Sequence, residues 1–339
     1  MSECCCNNES SECAGVAAPV STELSWRDRF GAWKVRWGSG RMDYTVAPGL
    51  YSVGAPDKES PVLVSANYKL TFDVLRKNLA GMDCWLLILD TKGVNVWCAA
   101  GKGTFGTDEL VNRVEAAGLP EIVSNKKLIL PQLGAPGVSA HEVKSRTGFS
   151  VIYGPVRAED IKAFIAADCK ATKEMRTVLF TMRDRLVLTP LELTEVAKTS
   201  LKVLGVLFLI NLFAARPFGL LDFLLYGNAA IIGAAITPIL LPFIPGRAFA
   251  FKGWLLGAIG TFLILWTSGW FEQPYFLIGI GYMLALPAFS AYLAMNFTGA
   301  STYTSPSGVL KEMKLALPFI IPLIAAGAAL ILIKTFMGL

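Results

Sequence analysis

The sequence lacks the cysteine spacings that usually build disulfide frameworks and metal sites. Its seven cysteines are an odd number, and none forms the Cys-x-x-Cys pair typical of zinc and iron–sulfur sites. Cys4, Cys5, Cys6 and Cys13 lie in a polar N-terminal stretch without the apolar core of a signal peptide. We therefore expect reduced thiols in a reducing compartment. The four N-terminal cysteines belong either to a solvated tail or to a site that captures thiophilic metal ions.

A basic surplus is also missing from the N-terminal part of the chain. Residues 1–198 carry 24 Lys and Arg against 23 Asp and Glu, whereas residues 199–339 carry seven against three. Binding to a phosphate backbone needs a clustered basic surplus. We therefore expect no nucleic-acid partner.

Charged residues are nearly absent from five apolar segments of the C-terminal part. These segments are Leu204–Ala215, Phe218–Ile244, Trp254–Trp270, Phe276–Phe297 and Leu315–Phe336. The last four are long enough to cross a bilayer, which takes roughly 20 residues. The first reaches that length only if it also includes residues before Lys202. We predict about five membrane-spanning helices, with four as the alternative.

Basic residues are distributed unevenly between the two ends of these segments. With five spans and the N-terminal part inside, the inner ends carry six Lys or Arg and the outer ends carry two. The inner residues are Lys198, Lys202, Arg247, Lys252, Lys311 and Lys314, and the outer residues are Arg216 and Lys334. The positive-inside rule therefore predicts an inner-membrane protein whose N-terminal part faces the cytoplasm. Because only Asp222 comes close to a span interior, the spans are interpreted as an anchor and docking platform in membrane lipid. A role as a conduit is the alternative.

Apolar runs and helical spacings alternate between residues 60 and 167. Strand-like runs occur at Val62–Ser65, Trp85–Leu89, Val94–Trp97, Leu128–Leu130 and Ser150–Tyr153. Helical patterns lie around residues 72–79, at Asp108–Ala117 with Thr107 as N-cap, near His141–Arg146 and near Ala158–Ala167. This alternation predicts a Rossmann-like α/β layered domain, without showing that every pair of strands is parallel. We predict a disordered tail over residues 1–20, the α/β domain over residues 21–198 and a helical transmembrane domain over residues 199–339.

A glycine-rich stretch precedes the second of these predicted helices. Gly101, Gly103 and Gly106 spell the dinucleotide-binding fingerprint G-x-G-x-x-G. The acidic residue expected about 20 positions later has only Glu121 as a candidate, and Glu121 precedes its strand. The pattern leaves a dinucleotide-dependent membrane oxidoreductase open, although it gives no reason for Cys98.

Cys98 is the candidate for chemistry in this stretch. It is predicted at the end of a strand, upstream of a helix whose free N–H groups favour negative charge, with Lys102 nearby. Both features favour the thiolate, which is the form that binds soft metal ions. An unpaired cysteine is otherwise most often a small buried side chain, so two interpretations stand at this point.

The residues around Cys98 resemble a known family. Residues 95–102 read Asn-Val-Trp-Cys-Ala-Ala-Gly-Lys, which matches the hallmark of the corrinoid protein of the mercury-methylating pair. The resemblance continues through residues 127–138, 141–144 and 147–157, and a tail of about five membrane spans belongs to the same architecture. That family is itself similar to the cobalamin-binding domain of the corrinoid iron–sulfur protein of the acetyl-CoA pathway, whose own cluster and barrel segments are absent from this sequence.

The resemblance implies a corrinoid (cobalamin, cobalt) site in which Cys98 is the lower axial ligand of the cobalt. Asn95 and Trp97 would position the segment, and the small side chains after Cys98 would let the macrocycle approach. The implied cofactor-binding residues are Ser65, Asn95, Val96, Trp97, Cys98, Ala99, Ala100, Gly101, Lys102, Gln132, Gly134, Ala135, Gly137 and Ala158. His141, the single histidine, is interpreted as a surface residue.

The resemblance also implies a reaction and its partners. The reaction is a methyl transfer from methyl-cobalt to Hg(II), forming methylmercury, with methyltetrahydrofolate or a methyl donor protein as the source. A thiolate ligand donates electron density to the metal, which favours a methyl group that leaves with both electrons. A separate ferredoxin-like protein with two 4Fe–4S clusters would reduce the cobalt again. A membrane-tethered corrinoid carrier for another acceptor is the alternative, and the physiological substrate, the route of Hg(II) and the stoichiometry with the partner stay open.

Overall fold

The structure is a computed structural model that describes residues 17–300 and 303–337. The chain divides into two compact units. The first comprises the chain up to Val35 together with Ser39–Val178, and the second comprises Arg36–Gly38 and Leu179–Leu339. The four N-terminal cysteines and most of the predicted tail lie outside the described residues, whereas residues 18–19 at its end form a strand.

The first unit is built on one sheet, which has six strands in the described residues. These are β1 (Ala18–Pro19), β2 (Gly49–Val53), β3 (Val62–Ala66), β4 (Cys84–Leu89), β5 (Lys127–Leu130) and β6 (Ser150–Tyr153), and their order across the sheet is β1-β2-β4-β3-β5-β6. The four strands from β3 to β6 are mutually parallel, whereas β2 pairs antiparallel with β4. The predicted α/β class is confirmed, and the sheet is mixed.

Helices cover both faces of this sheet. Helix α1 (Trp26–Arg36) comes first in the chain and has no side chain in the two cores that pack on the sheet. The covering helices are α2 (Lys69–Asn78), α3 (Val96–Lys102), α4 (Thr107–Ala116), α5 (Leu119–Ile122), α6 (Ala140–Thr147) and α7 (Ile161–Ala166). Successive side chains of a strand point to opposite faces: Val62 and Val64 join a core with side chains of α4 and α6, while Leu63 joins a core with side chains of α2 and α7. Burial on both faces explains why the parallel strands read as continuous apolar runs.

Two local predictions in this unit are wrong. The strand predicted at Val94–Trp97 is not formed; a turn after β4 leads directly into α3, so that Cys98 lies inside a short helix. Thr107 is the first residue of α4 and not its N-cap, which is Gly106. The Thr107 hydroxyl instead accepts a hydrogen bond from the backbone N–H of Ser139, at 2.9 Å.

Helix α1 is joined to α2 by a cluster of charged side chains. Asp28 pairs with Lys69 at 2.6 Å and with Arg76 at 2.9 Å, and both cations also pair with Asp73. Burial by itself would raise the pKa of Asp28, but hydrogen bonds from Lys69, Ser25 and Arg76 outweigh it and hold the pKa well below its usual range. Asp28 therefore stays ionised, and the cluster fixes one face of α1 against the unit.

The second unit is helical. Its helices are α8 (Met182–Asn211), α9 (Leu220–Ile231), α10 (Thr237–Leu240), α11 (Phe249–Thr267), α12 (Phe276–Asn296) and α13 (Pro306–Met337), and a π-helical stretch over Ile232–Ile236 joins α9 to α10. In the described residues, four helical segments are long and apolar enough to cross a membrane: Leu220–Leu240, Phe249–Thr267, Phe276–Asn296 and Ser307–Met337. The fifth predicted span, at 204–215, covers the end of α8 and the four residues after it, and it is not among these four segments.

The predicted domain boundary after residue 198 falls in the middle of α8. The helix begins earlier, where the Thr181 hydroxyl accepts from the N–H of Asp184 and the Asp184 carboxylate accepts from the N–H of Thr181. This is the reciprocal arrangement of a capping box. The charge pattern changes where the helix becomes apolar, so a boundary drawn from composition falls inside α8.

Candidate functional site

A cleft lies at the C-terminal edge of the parallel strands, where the strand order reverses. From β3 the chain passes through α2 to β4 on one side, and from β4 it passes through α3 and α4 to β5 on the other side of β3. Loops that diverge in this way leave a crevice beyond the strand ends, which is where open α/β sheets bind ligands. The cleft has a volume of about 400 Å³.

The lining of the cleft is mainly apolar, with few polar groups. Five of the predicted cofactor-binding residues lie in it: Ser65, Asn95, Val96, Trp97 and Ala158. The other lining residues are Leu63, Val64, Tyr68, Leu70, Thr71, Val74, Leu75, Ile129, Leu130, Pro131, Leu133, Pro155, Val156 and Ile161. A largely apolar wall with a few polar groups is typical of a small-molecule or cofactor site.

The side chain of Asn95 sets the start of α3 and thereby the position of Cys98. Its Oδ1 atom accepts a hydrogen bond from the backbone N–H of Cys98 at 2.9 Å, which is the N-cap interaction that asparagine makes well. Trp97 lines the cleft and is 45% exposed. Cys98 follows it on the outer side of the first turn and is exposed. Lys102 lies one helical turn further along, on the same face.

A buried asparagine holds the turn that leads into α3. The Oδ1 atom of Asn67 accepts from the N–H and the hydroxyl of Thr91 and from the N–H of Gly93, at 2.9–3.1 Å. Its Nδ2 atom donates to Asp90 at 3.2 Å. The Thr91 hydroxyl shares its one proton between Asn67 and the carbonyl oxygen of Val94, which lies 2.6 Å away. This network satisfies the polar groups of the turn and connects the end of β3 to the residue before Asn95.

Cys98 differs in environment from the other two cysteines that the structure describes. Cys84 is fully buried in the second core, and burial raises the pKa of its thiol to about 12. Cys169 is partly buried, and burial raises its pKa as well. Both therefore stay protonated near neutral pH, whereas only Cys98 presents an exposed thiol beside the cleft.

The glycines of the G-x-G-x-x-G pattern do not form a dinucleotide loop. That loop joins a strand directly to the N-terminus of a helix, but here α3 lies between β4 and α4. Gly103 ends α3 with a φ of 79°, a left-handed conformation that favours glycine. A Cβ atom on Gly106 would lie 2.8 Å from the carbonyl oxygen of Gly103. These glycines therefore serve a tight turn between two helices.

The remaining predicted residues, including Cys98, lie outside the cleft lining. Ala99 and Ala100 are buried in the first core, and Gly101 and Lys102 are exposed on α3. Gln132, Gly134, Ala135 and Gly137 belong to a 3₁₀ turn over Gln132–Gly137. A Cβ atom at Gly134 or Gly137 would meet Phe105 within 2.5 Å, so these two glycines allow the close packing of that turn. Their contact with a cofactor stays a prediction.

The sequence pattern missed the part of the cleft that α2 supplies. Leu70, Thr71 and Val74 line it from the first two turns of that helix. Val74 is exposed, which is unusual for a β-branched side chain on a covering helix. Its helical spacing from Leu70 and Thr71 was the available signal, because residues three and four apart share a face.

The donor groups near the cleft are suited to a metal ion that is already bound in a cofactor. In the described part of the chain, no three His, Cys, Asp or Glu side chains come together as a metal site. Cys98 could thus supply a single soft ligand, which suits a metal whose other positions are filled by a macrocycle. The apolar wall beside it and the exposed ring of Trp97 suit a large, flat ligand.

Comparison with known proteins identifies relatives of the first unit. Residues 37–165 match the CdhD family, described as the CO dehydrogenase/acetyl-CoA synthase delta subunit. Over 127 residues, 37% of this chain, the protein is 33% identical to the acetyl-CoA decarbonylase/synthase complex subunit gamma of Methanopyrus kandleri, covering 27% of that subunit. The corresponding subunit of Methanocaldococcus jannaschii is 30% identical over 127 residues, 37% of this chain and 26% of that subunit. Subunit gamma 2 of Methanosarcina thermophila is 33% identical over 120 residues, 34% of this chain and 25% of that subunit.

The family match over residues 37–165 falls in the first unit except for its first two residues. The chain spans about a quarter of the length of the relatives it matches. The predicted similarity to a protein of acetyl-CoA metabolism is confirmed for this segment. The names of these three relatives do not refer to mercury.

Replacing Asn67 by Ala should loosen the turn that precedes α3. The change leaves the backbone N–H groups of Thr91 and Gly93 without their acceptor, which should cost about 1–3 kcal/mol of local stability. We expect faster amide hydrogen exchange over residues 90–98, with little change over β3. Asn125→Ala is the matched control, because the side chain of Asn125 makes one long, exposed hydrogen bond, at 3.4 Å. Unchanged exchange over residues 90–98 would contradict this role.

Proposed function

We propose that the first unit binds a corrinoid in the cleft beside α3 and that the protein acts in methyl transfer. The observation that carries this proposal is the exposed thiol of Cys98, which directly follows the cleft-lining residue Trp97 and whose backbone N–H is bonded by the Asn95 cap. It is supported by the match of residues 37–165 to subunits of acetyl-CoA synthesis. The Asn-Val-Trp-Cys-Ala-Ala-Gly-Lys segment adds the family resemblance described above.

The residues of the cleft would bind the cofactor by complementary shape and polarity. Val64, Leu70 and Val156 offer apolar surface, and Ser65 offers a hydroxyl at the end of β3. Trp97 would cover part of the macrocycle with its ring. In this proposal Ala99 and Ala100 contribute indirectly, because they pack in the core and hold α3 against the sheet.

Cys98 would ligate the cobalt through its sulfur. When bound, the corrinoid supplies a cobalt centre that carries a methyl group and releases it to an acceptor. The thiolate would donate electron density to that centre, and axial ligands are a principal means by which a protein tunes a metal cofactor. Asn95 would keep the thiolate in place by fixing the Cys98 backbone, and Lys102 would balance its charge from the next turn.

We propose Hg(II) as the acceptor. A soft, electron-poor metal ion is suited to receive a methyl group with its electron pair. The second candidate is a methyl carrier for a different acceptor, which is favoured by relatives whose names place them in an acetyl-CoA decarbonylase/synthase complex. Methyltetrahydrofolate, or a protein that draws on it, is the proposed methyl donor, and a ferredoxin-like protein with two 4Fe–4S clusters is the proposed reductant.

We further propose that the second unit crosses the cytoplasmic membrane five times, with the first unit in the cytoplasm. The four long apolar helices would cross together with the end of α8, where Leu201, Val206 and Phe208 are exposed. Five crossings place Arg247, Lys252, Lys311 and Lys314 on the same side as the first unit. Four crossings from the same start would place these four cations outside, against the positive-inside rule.

Loss of Cys98 should remove the cobalt ligand and leave the fold intact. The full chain carrying Cys98→Ala, loaded with cobalamin under reducing conditions, should have an altered visible spectrum and no methyl-transfer activity. Its unfolding free energy should change by less than about 0.5 kcal/mol, since the thiol is exposed. Cys84→Ala is the matched control and should keep both the spectrum and the activity. An unchanged spectrum in Cys98→Ala would contradict ligation by Cys98.

The identity of the acceptor can be tested with the intact membrane protein. The full chain, loaded with methylcobalamin and a chemical reductant, should produce methylmercury from Hg(II), and Cys98→Ala should reduce the yield to background. If the loaded, reduced protein yields no methylmercury but does transfer its methyl group to another acceptor, Hg(II) is excluded and the carrier function stands.

The number of crossings can be tested by reporter fusions. Five crossings place the end of α13 outside the cytoplasm, so alkaline phosphatase fused after Leu339 should be active and green fluorescent protein fused there should be dark. A fusion at the start of α13 should give the opposite pair of results. A bright fluorescent fusion after Leu339 would contradict the proposed topology.

A further inference from the structure

One face of α1 carries large aromatic side chains that the rest of the structure leaves exposed. Trp26, Phe30 and Trp33 are 76%, 51% and 56% exposed. Spacings of four and three residues place them in one stripe along the helix. Their rings stack in sequence, with centroids 6.3 Å and 5.8 Å apart. We call Trp26, Phe30 and Trp33 the aromatic stripe.

The opposite face of α1 is fixed to the first unit. Val35 is 2% exposed, and a Cβ atom on Gly31 would lie 2.5 Å from the hydroxyl of Tyr44. Asp28 holds the same face through its ion pairs with Lys69 and Arg76. The helix therefore cannot rotate to bury the aromatic stripe without breaking these contacts.

Basic residues flank the stripe. Arg27 and Lys34 lie on one side of it and Arg29 on the other, and all three are exposed. The acidic residue of the helix, Asp28, faces the unit and is neutralised there. The outer surface of α1 thus combines aromatic rings with positive charge. That combination is typical of helices that lie in the interface of an anionic bilayer.

We propose that the aromatic stripe of α1 inserts into the interface of an anionic phospholipid membrane. Tryptophan prefers the headgroup region, and the flanking cations would contact lipid phosphates, because an anionic surface attracts basic side chains. The inference rests on the proposed membrane insertion of the second unit, which would keep a bilayer within reach of α1 and so raise its effective concentration. It does not depend on the corrinoid.

This attachment would orient the cleft relative to the membrane. Asp28 of α1 contacts Lys69 and Arg76 of α2, and α2 supplies Leu70, Thr71 and Val74 to the cleft wall. The membrane-binding helix α1 is therefore connected to the cleft wall by one layer of ion pairs, those between α1 and α2. Insertion of α1 would fix which side of the cleft faces the aqueous phase.

Photo-crosslinking in the full chain tests the proposal directly. The protein is reconstituted into vesicles of phosphatidylethanolamine and phosphatidylglycerol with p-benzoylphenylalanine in place of Phe30, which preserves an aromatic side chain in the stripe. Mass spectrometry after illumination should find a phospholipid adduct at position 30. Arg27→Gln, Arg29→Gln and Lys34→Gln combined should lower its yield several-fold, as should replacing phosphatidylglycerol by phosphatidylcholine.

Two further positions give the controls. The same photoreactive residue at Glu121, which is exposed on α5 of the first unit, should give no lipid adduct. At Phe262, which is exposed on α11, it should give a lipid adduct whether or not α1 touches the membrane. A lipid adduct at position 262 without one at position 30 would overturn the aromatic-stripe proposal but not the proposed membrane spans. A protein adduct at position 30 would have the same consequence. Equal lipid adducts at positions 30 and 121 would also overturn it, and absence of lipid at both 30 and 262 would overturn it together with the spans.

Discussion

The turn after β4 contains backbone N–H groups that are buried from water, and the site depends on how they are satisfied. A buried donor without a partner costs free energy comparable to a lost hydrogen bond. Asn67 satisfies two of these donors and the Thr91 hydroxyl with one oxygen atom, and it is itself fixed at the end of β3. Because the turn is fixed, α3 begins at a defined place, and Asn95 can cap it.

The position of Cys98 follows from this chain of contacts. Asn95 binds the backbone of Cys98, while Val96, Ala99 and Ala100 anchor the inner face of α3 in the core. The outer face then presents Cys98 and Trp97. A short helix that is packed on one side in this way can hold a thiol beside a cleft without burying it. A cysteine in a core, such as Cys84, cannot act as a ligand for an external cofactor.

The sequence patterns predicted the parallel strands because burial on both faces makes them continuous apolar runs, as in β4. The same criterion failed at Val94–Trp97, where two valines and a tryptophan resemble a strand. There the hydrogen bonds of Asn67 and Asn95 decide the local structure, and Asn67 lies far away in sequence. The antiparallel β2 was also missed, since its partner is set by the sheet order and not by its own pattern.

The candidate site was predictable in its centre and not at its edges. The segment from Asn95 to Trp97 and Ser65 lie in the cleft, since residues after parallel strands meet at one edge of the sheet. Ala99 and Ala100 share the sequence neighbourhood of Asn95, but the helical period turns them toward the core. The glycines of the 3₁₀ turn pack against Phe105 instead. The face of α2 could not be assigned to the site from the sequence, because residues far apart in sequence can be brought together only once the order of the strands is known.

Cobalt K-edge X-ray absorption of the full chain loaded with cobalamin tests the central claim most directly, since it reports the atoms bound to the metal. The account predicts one sulfur neighbour of cobalt in the unmodified protein and its replacement by a lighter atom in Cys98→Ser. A loaded protein whose cobalt has no sulfur neighbour, or one that keeps it in Cys98→Ser, would contradict the assignment of Cys98 as the ligand.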